Sequence, residues 1–208
     1  GELPNGSAAI IRIRRKFATL TCLSSCDDPS RCVKSGSMNN SLKITSEGLF
    51  AKLEELGIEF ENYEHPPLRT VAESQALRGE LPGAHIKNLF LRDKKRRYFL
   101  MTVAEDREVD LKWLRRAIGA QGTLSFGSAE ALKKLLGVVP GAVTPLGVIN
   151  DTNSEVTAFL DKDLLDATLI NVHPLRNDMT TALSAQDLVT FMETLDHPPG
   201  TVDFDADT

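Results

Sequence analysis

Beyond Cys32 this 208-residue chain has no cysteine: Cys22, Cys26 and Cys32 all fall within the first 37 residues. Their spacing fits no usual zinc motif, and no histidine stands near them to complete a ligand set. From Met38 onward there is neither a disulfide nor a thiol nucleophile, which suits a reducing cytoplasm. Apolar runs are short, none approaching the roughly 18–20 residues of a membrane span, so no membrane partner is expected. Histidine is scarce too: His65, His85, His173 and His197 are the whole supply. The body holds no His-x-x-x-His or Cys-x-x-Cys pattern, no Gly-x-Ser-x-Gly elbow and no glycine-rich phosphate loop. Those gaps disfavour a metal hydrolase, a serine hydrolase and a doubly wound nucleotide fold. Neither a metal nor a cofactor is expected.

Positive charge is also scarce where most of the chain lies. Residues 1–37 carry six Lys or Arg against three acids, whereas the remainder holds 18 basic and 26 acidic residues, a net charge of −8. A body that acidic is poorly suited to gripping long duplex nucleic acid through its phosphates, and no helix-turn-helix signature points to DNA. Contact with RNA is expected to be local, with "RDKKRR" and "KWLRR" as the segments able to touch phosphates.

What is present is a core. Hydrophobic residues make up 41% of the chain, enough for one ordinary domain. The basic, Ser/Thr-bearing stretch "AAIIRIRRKFATLTCLSSC" has the flavour of a targeting peptide, yet "GSMNN" offers a start at Met38. Residues 1–41 are therefore expected to form an extension, disordered or arising from an upstream start site, and residues 42–205 a single domain. Within it "SEGLFAKLEELG" puts Leu49, Phe50, Leu53 and Leu56 on one helical face and closes at Gly57. "IEFENYEHPP" reads as a strand broken by Pro66 and Pro67. Thr70 and Glu73 stand at capping-box spacing, which predicts a short helix over 71–78. "NLFLRDKKRRYFLMTV" is a hairpin around a solvated turn. Asp110 and Ser128 open two amphipathic helices that stop at Gly119 and Gly137. "VVPGAVTPLGVI" breaks helical geometry and is expected to return to strand. "EVTAFLD" and "ATLINVHP" are further strands. Ser184 caps a closing helix whose Leu188, Phe191, Met192 and Leu195 face inward. Short strands mixed irregularly with short helices indicate an α+β fold, a single mixed-sheet domain with peripheral helices.

Polar residues then stand out at the edges of apolar strands: Lys87 and Asn88, His173 before Pro174, Asn177, and the bend from Gly141 to Pro145. Taken singly each has an ordinary reading, a lysine reaching for water, a turn histidine, a kinked crossover. Taken together, "EHPPLRTVAES", "GAHIKNLFLRDKKRRYFLMTV", "GAVTPLGVIND" and "NVHPLRNDMTTALSAQDL" resemble, in order and spacing, the prolyl-tRNA editing domains, also called YbaK-like or prolyl-tRNA synthetase-associated domains. The likeness runs from about Leu49 to Phe204 and leaves the first 37 residues unexplained. Within the family it leans to the freestanding form that hydrolyses alanine mischarged onto proline tRNA.

That resemblance implies a trans-editing deacylase. Lys87 corresponds to the family's functional lysine and is expected to be catalytic with Asn88 beside it. Gly141 and Pro145 supply a Gly-x-x-x-Pro loop lying against the terminal adenosine, and His173 matches a substrate-binding histidine. The helix over 71–78 looks like a mobile cover. The implied partner is the acceptor end of mischarged proline tRNA, with prolyl-tRNA synthetase a possible second partner. Deacylation of a different small residue, cysteine or serine, and a non-catalytic module that binds aminoacyl-tRNA or a synthetase are the alternatives.

Overall fold

The computed structural model describes residues 11–14, 43–66 and 81–206. The helix expected over 71–78 lies outside the described residues. In chain order the elements are β1 (Ile11–Arg14), α1 (Ser46–Glu55), β2 (Phe60–Glu64), β3 (Ala84–Arg92), β4 (Tyr98–Ala104), α2 (Leu111–Ala117), β5 (Ser125–Phe126), α3 (Ala129–Leu136), β6 (Val156–Asp161), β7 (Ile170–Val172), β8 (Met179–Leu183), α4 (Ala185–Thr194) and β9 (Gly200–Val202). Two 3-10 turns, Pro145–Asn150 and Lys162–Asp166, precede and follow β6. The strands form one mixed sheet in the order β1-β2-β8-β7-β3-β4-β6-β9, with β5 added to β3. The pairs β7–β3, β4–β6 and β6–β9 are parallel and the rest antiparallel. This is the α+β mixed-sheet domain expected from the sequence.

The hairpin β3–β4 is buried on both faces, which is why its sequence is nearly continuous in apolar residues rather than alternating. Phe90 and Leu100 point into the larger core with Leu49, Leu53, Leu136, Leu183 and Phe191. Leu91, Phe99, Met101 and Val103 point the opposite way, under Leu114 and Ile118 of α2. Local chemistry sets the helix ends. The side chains of Asp110, Ser128 and Ser184 accept hydrogen bonds from the backbone N–H of Lys112, Ala131 and Asp187, satisfying donors that the first helical turn leaves unpaired.

Three expectations change. Residues 145–150 do not return to strand. Thr144 accepts from the Leu146 N–H, and Pro145, with its fixed φ and missing donor, starts a 3-10 turn instead. Ile11–Arg14, set outside the domain on composition, pairs antiparallel with β2 at the sheet's edge. The turn of "RDKKRR" is only partly a solvated loop. Lys94, Lys95 and Arg96 are exposed, but Asp93 is buried and receives the N–H groups of Lys95, Arg97 and Gln121 and the Arg97 guanidinium. Burial alone would raise the Asp93 carboxyl, but these donors outweigh it and hold its pKa at about 2.

The start of the body is fastened tightly. Asn150 accepts from the Ile44 N–H at 2.7 Å and donates to the carbonyls of Ile44 and Leu136. Lys43 Nζ bonds the Leu135 and Asn150 carbonyls. Arg107 does similar service at the other end, joining Asp161, Asp163 and Asp205 while lying over the Phe204 ring.

Candidate active site

One edge of β3 is fully paired with β4 from Ile86 to Arg92. Its other edge is interrupted. Ala84 and His85 pair with Ile170 and Asn171 of β7, and Leu91 and Arg92 pair with Phe126 and Ser125 of β5. Between those short ladders, at Lys87 and Asn88, no described strand continues the sheet. The gap opens at the carboxyl end of β7, where two parallel strands part company. Crevices of that kind are where open sheets commonly receive ligands.

Side chains on a strand alternate, so the neighbours Lys87 and Asn88 face opposite ways. Asn88 pairs with Thr102 and lies on the larger-core face. Its Oδ1 accepts from Thr102 Oγ1 at 2.7 Å, and its Nδ2 donates to the Val143 carbonyl at 2.9 Å. Asn88 thus fastens the 141–145 bend to the sheet.

The bend itself holds Gly141, exposed and at φ 91°, a conformation that side-chain-bearing residues rarely adopt. Among the described residues a Cβ there would meet only Asn177 Nδ2, at 3.9 Å. That proximity joins the bend to the segment that follows His173. Pro145 is buried and starts the 3-10 turn, so it shapes the loop from beneath.

Lys87 pairs with Val103 on the opposite face and is half-buried. Among the described residues its ammonium has no hydrogen bond or ion pair. The same face of the neighbouring strands carries several polar side chains beside the buried Tyr63 and Ala182. His85 and Asn171 are register partners in parallel strands and so share a side. Asn171 donates from Nδ2 to the Pro82 carbonyl, which fixes the amide, while its buried Oδ1 and the His85 Nε2 have no hydrogen-bond partner among the described residues. His65 Nδ1 lies 2.9 Å from the Pro66 carbonyl and its Nε2 3.0 Å from Thr180 Oγ1. His173 follows β7, half-buried, with Nδ1 3.0 Å from the Met179 carbonyl. A carbonyl only accepts, so Nδ1 carries the proton and Nε2 keeps its lone pair. Burial lowers the His173 pKa, against the Met179 carbonyl, and nearby His65 lowers it further. His173 is therefore neutral at neutral pH.

The structure thus brings Lys87, Asn88, the 141–145 bend and the His173–Asn177 segment around one gap, with Lys87 and the bend entering from different faces of β3. His65, His85, Asn171 and Thr180 were not singled out from sequence as site residues. Nothing in the residues next to them marks them as a group, and only the strand order aligns them. Among the described residues no three His, Cys, Asp or Glu gather as a metal site, and no helix is long and apolar enough to cross a membrane.

The model of the aminoacyl-tRNA editing domain matches residues 65–191. The chain is 41% identical over 143 residues to the prolyl-tRNA editing protein ProX of Acetoanaerobium sticklandii, covering 68% of this chain and 87% of that protein. It is 38% identical over 184 residues to prolyl-tRNA synthetase associated domain-containing protein 1 of Danio rerio, covering 86% and 100%. Among solved structures, a candidate trans-editing enzyme for prolyl-tRNA synthetase superposes with a TM-score of 0.59 at 23% identity, over 78% of this chain and 98% of that one. The hypothetical protein APE2540 gives 0.60 at 18% identity, over 74% and 97%. These two likenesses concern the fold. The family-model match spans every segment of the gap, and with the identity to these relatives it shows that the chain belongs to the aminoacyl-tRNA editing domain family.

Proposed function

We propose that this aminoacyl-tRNA deacylase removes alanine from mischarged proline tRNA in trans, with residues 42–205 carrying the activity. The observation that carries this reading is Lys87, a half-buried ammonium without a partner among the described residues, standing where the second edge of β3 is interrupted, across the strand from a glycine-bearing bend. The relatives' names, prolyl-tRNA editing protein and prolyl-tRNA synthetase associated domain, support proline tRNA as substrate and the synthetase as a neighbour in the cell.

An ester on a terminal ribose is already activated, so no covalent nucleophile is required. Water adds to the carbonyl carbon, the bond to the ribose oxygen breaks, and that oxygen takes a proton, leaving free amino acid and a tRNA hydroxyl. Lys87 holds the carbonyl oxygen as charge grows on it, and a fixed donor at that place is worth about 3 kcal/mol. Backbone N–H groups near Gly141 can approach the substrate because no side chain intervenes. The adjacent ribose hydroxyl helps to activate the water. His173, neutral and with Nε2 as acceptor, receives a substrate hydroxyl. Asn171 Oδ1 is an unused acceptor suited to the substrate's α-ammonium. Alanine is admitted and proline rejected by shape, since a clash discriminates more strongly than the about 1–3 kcal/mol of a single methylene.

The test is deacylation of alanyl-, cysteinyl-, seryl- and prolyl-tRNA by purified protein. Alanyl-tRNA(Pro) is cleaved fastest, prolyl-tRNA(Pro) survives, and EDTA changes nothing. Absence of turnover on every mischarged tRNA ends the deacylase reading. Preference for cysteine or serine corrects the substrate alone.

A further inference from the structure

We propose that Phe126, with the basic surface behind it, is the platform on which the unpaired acceptor end of tRNA stacks as it enters the Lys87 gap. The proposal rests on the deacylase reading and adds to it where the RNA lies. Phe126 is 64% exposed, the most exposed large hydrophobic side chain among the described residues. It is not a floppy loop residue. β5 is paired to β3, and Gly127 donates to the Phe90 carbonyl, so close that a Cβ on Gly127 would lie 2.5 Å from the Phe90 ring. An aromatic held rigidly toward solvent loses little on binding and presents a flat face.

Register fixes its direction. Phe126 pairs with Leu91, and Leu91 is four residues along β3 from Lys87, so both lie on the same face as the lysine. At about 3.3 Å per residue the two positions are roughly 13 Å apart. A nucleic-acid strand advances about 3.4 Å per nucleotide when stacked and further when drawn out. A few unpaired nucleotides before the esterified ribose span the distance.

The surroundings match an RNA strand in charge. Segments 92–97 and 112–116 carry eight Lys or Arg and a single acid, Asp93, which is buried and occupied by Arg97. The fold brings the two segments together around the loop that leads into β5. Arg97 bonds the Gly119 carbonyl, Arg115 bonds the Gly122 carbonyl, and the Lys94 N–H bonds the Gln121 carbonyl. In a body of net charge −8 this local excess of cations sits next to the exposed ring. Aromatic stacking combined with a basic track is how single-stranded nucleic acid is held without base-specific readout.

The experiment uses the full chain, an uncharged RNA hairpin with a four-nucleotide single-stranded 3′ end, and the same hairpin made blunt. Phe126→Ala weakens binding of the tailed hairpin about tenfold, Phe126→Trp retains it, and the blunt hairpin binds both proteins equally weakly. Thermal melting is unchanged in the variants, since the side chain lies at the surface. Tailed-hairpin affinity that is the same for Phe126→Ala and wild type overturns the proposal, as does equal loss for the blunt hairpin. Because the RNA is uncharged, binding through Phe126 stands even if no mischarged tRNA is cleaved, and deacylation stands even if Phe126 proves idle.

Discussion

On one face of β3, Asn88 is committed to Thr102 and to the Val143 carbonyl, and the 141–145 bend is held in place through it. On the other face, one residue earlier, Lys87 is half-buried with no partner among the described residues. Both are polar groups beside a hydrophobic strand, and burying such a group unsatisfied is unfavourable. The Asn88 side is satisfied from within the protein. The Lys87 side has no such partner among the described residues. Stability and activity should therefore respond differently to substitution at these adjacent positions.

The widest separation is expected at Lys87. Lys87→Ala should lower kcat/KM by at least about 100-fold, the scale of one lost oxyanion donor, while thermal melting stays within about a degree of wild type. Unchanged turnover would remove Lys87 from the chemistry, and a large drop in melting temperature would make it structural. Asn88→Ala should do the reverse in proportion. Losing two partly buried hydrogen bonds costs about 2 kcal/mol of stability, read from denaturant unfolding, with a roughly tenfold loss of activity as the bend loosens. If Asn88→Ala lost activity as heavily as Lys87→Ala at unchanged stability, Asn88 would touch substrate directly.

A control for the comparison lies at the hairpin's far end. Asp93 has its pKa lowered to about 2, below the unfolded value near 3.9. Its contribution is fully present above pH 4 and is lost as the pH falls from there toward 2. Asp93→Ala should cost about 3 kcal/mol, because several donors and the Arg97 charge lose their acceptor. Above pH 5 it should leave kcat for an alanyl-adenosine ester within twofold of wild type. Melting curves of both proteins from pH 2 to 7 check this. They should converge at the acid end.

The smallest effect is a flat line. The His173 pKa is lowered from the ordinary value near 6.5, so its Nε2 remains an acceptor throughout the neutral range. Deacylation by wild type should show no inflection between pH 6.5 and 8 beyond that of the substrate's own α-amino group, after correction for spontaneous ester hydrolysis. The stabilising part of this shift is likewise complete above pH 6.5 and declines only as the pH falls from there toward the folded pKa. An inflection at or above 6.5 that disappears in His173→Gln would show that His173 titrates in the working range.

Much of this was readable along the chain. Asp110, Ser128 and Ser184 as caps, Gly137 as a stop, and the apolar faces of α1, α3 and α4 are local facts, since a cap needs only the backbone two or three residues away. The β3–β4 hairpin was legible for the same reason. The 3-10 turn from Pro145 was harder, because "LGVI" satisfies a strand pattern as well as a buried turn, and only the bond from Leu146 N–H to Thr144 decides between them. Lys87, Asn88, Gly141, Pro145 and His173 were singled out together, but not that Lys87 and the bend held by Asn88 lie on opposite faces of β3.

The sequence by itself determined the elements, their ends, the family motifs and the shortage of nucleophiles and metal ligands, because each depends on residues near one another along the chain. Tertiary structure alone decided that β7 leaves β3 after His85 and so opens the gap, and that Lys87 and the bend approach it from different faces. It also decided that "RDKKRR" and "KWLRR" meet beside Phe126. These are matters of strand order and register, fixed by how whole faces pack against two cores, and no short window of residues carries that information.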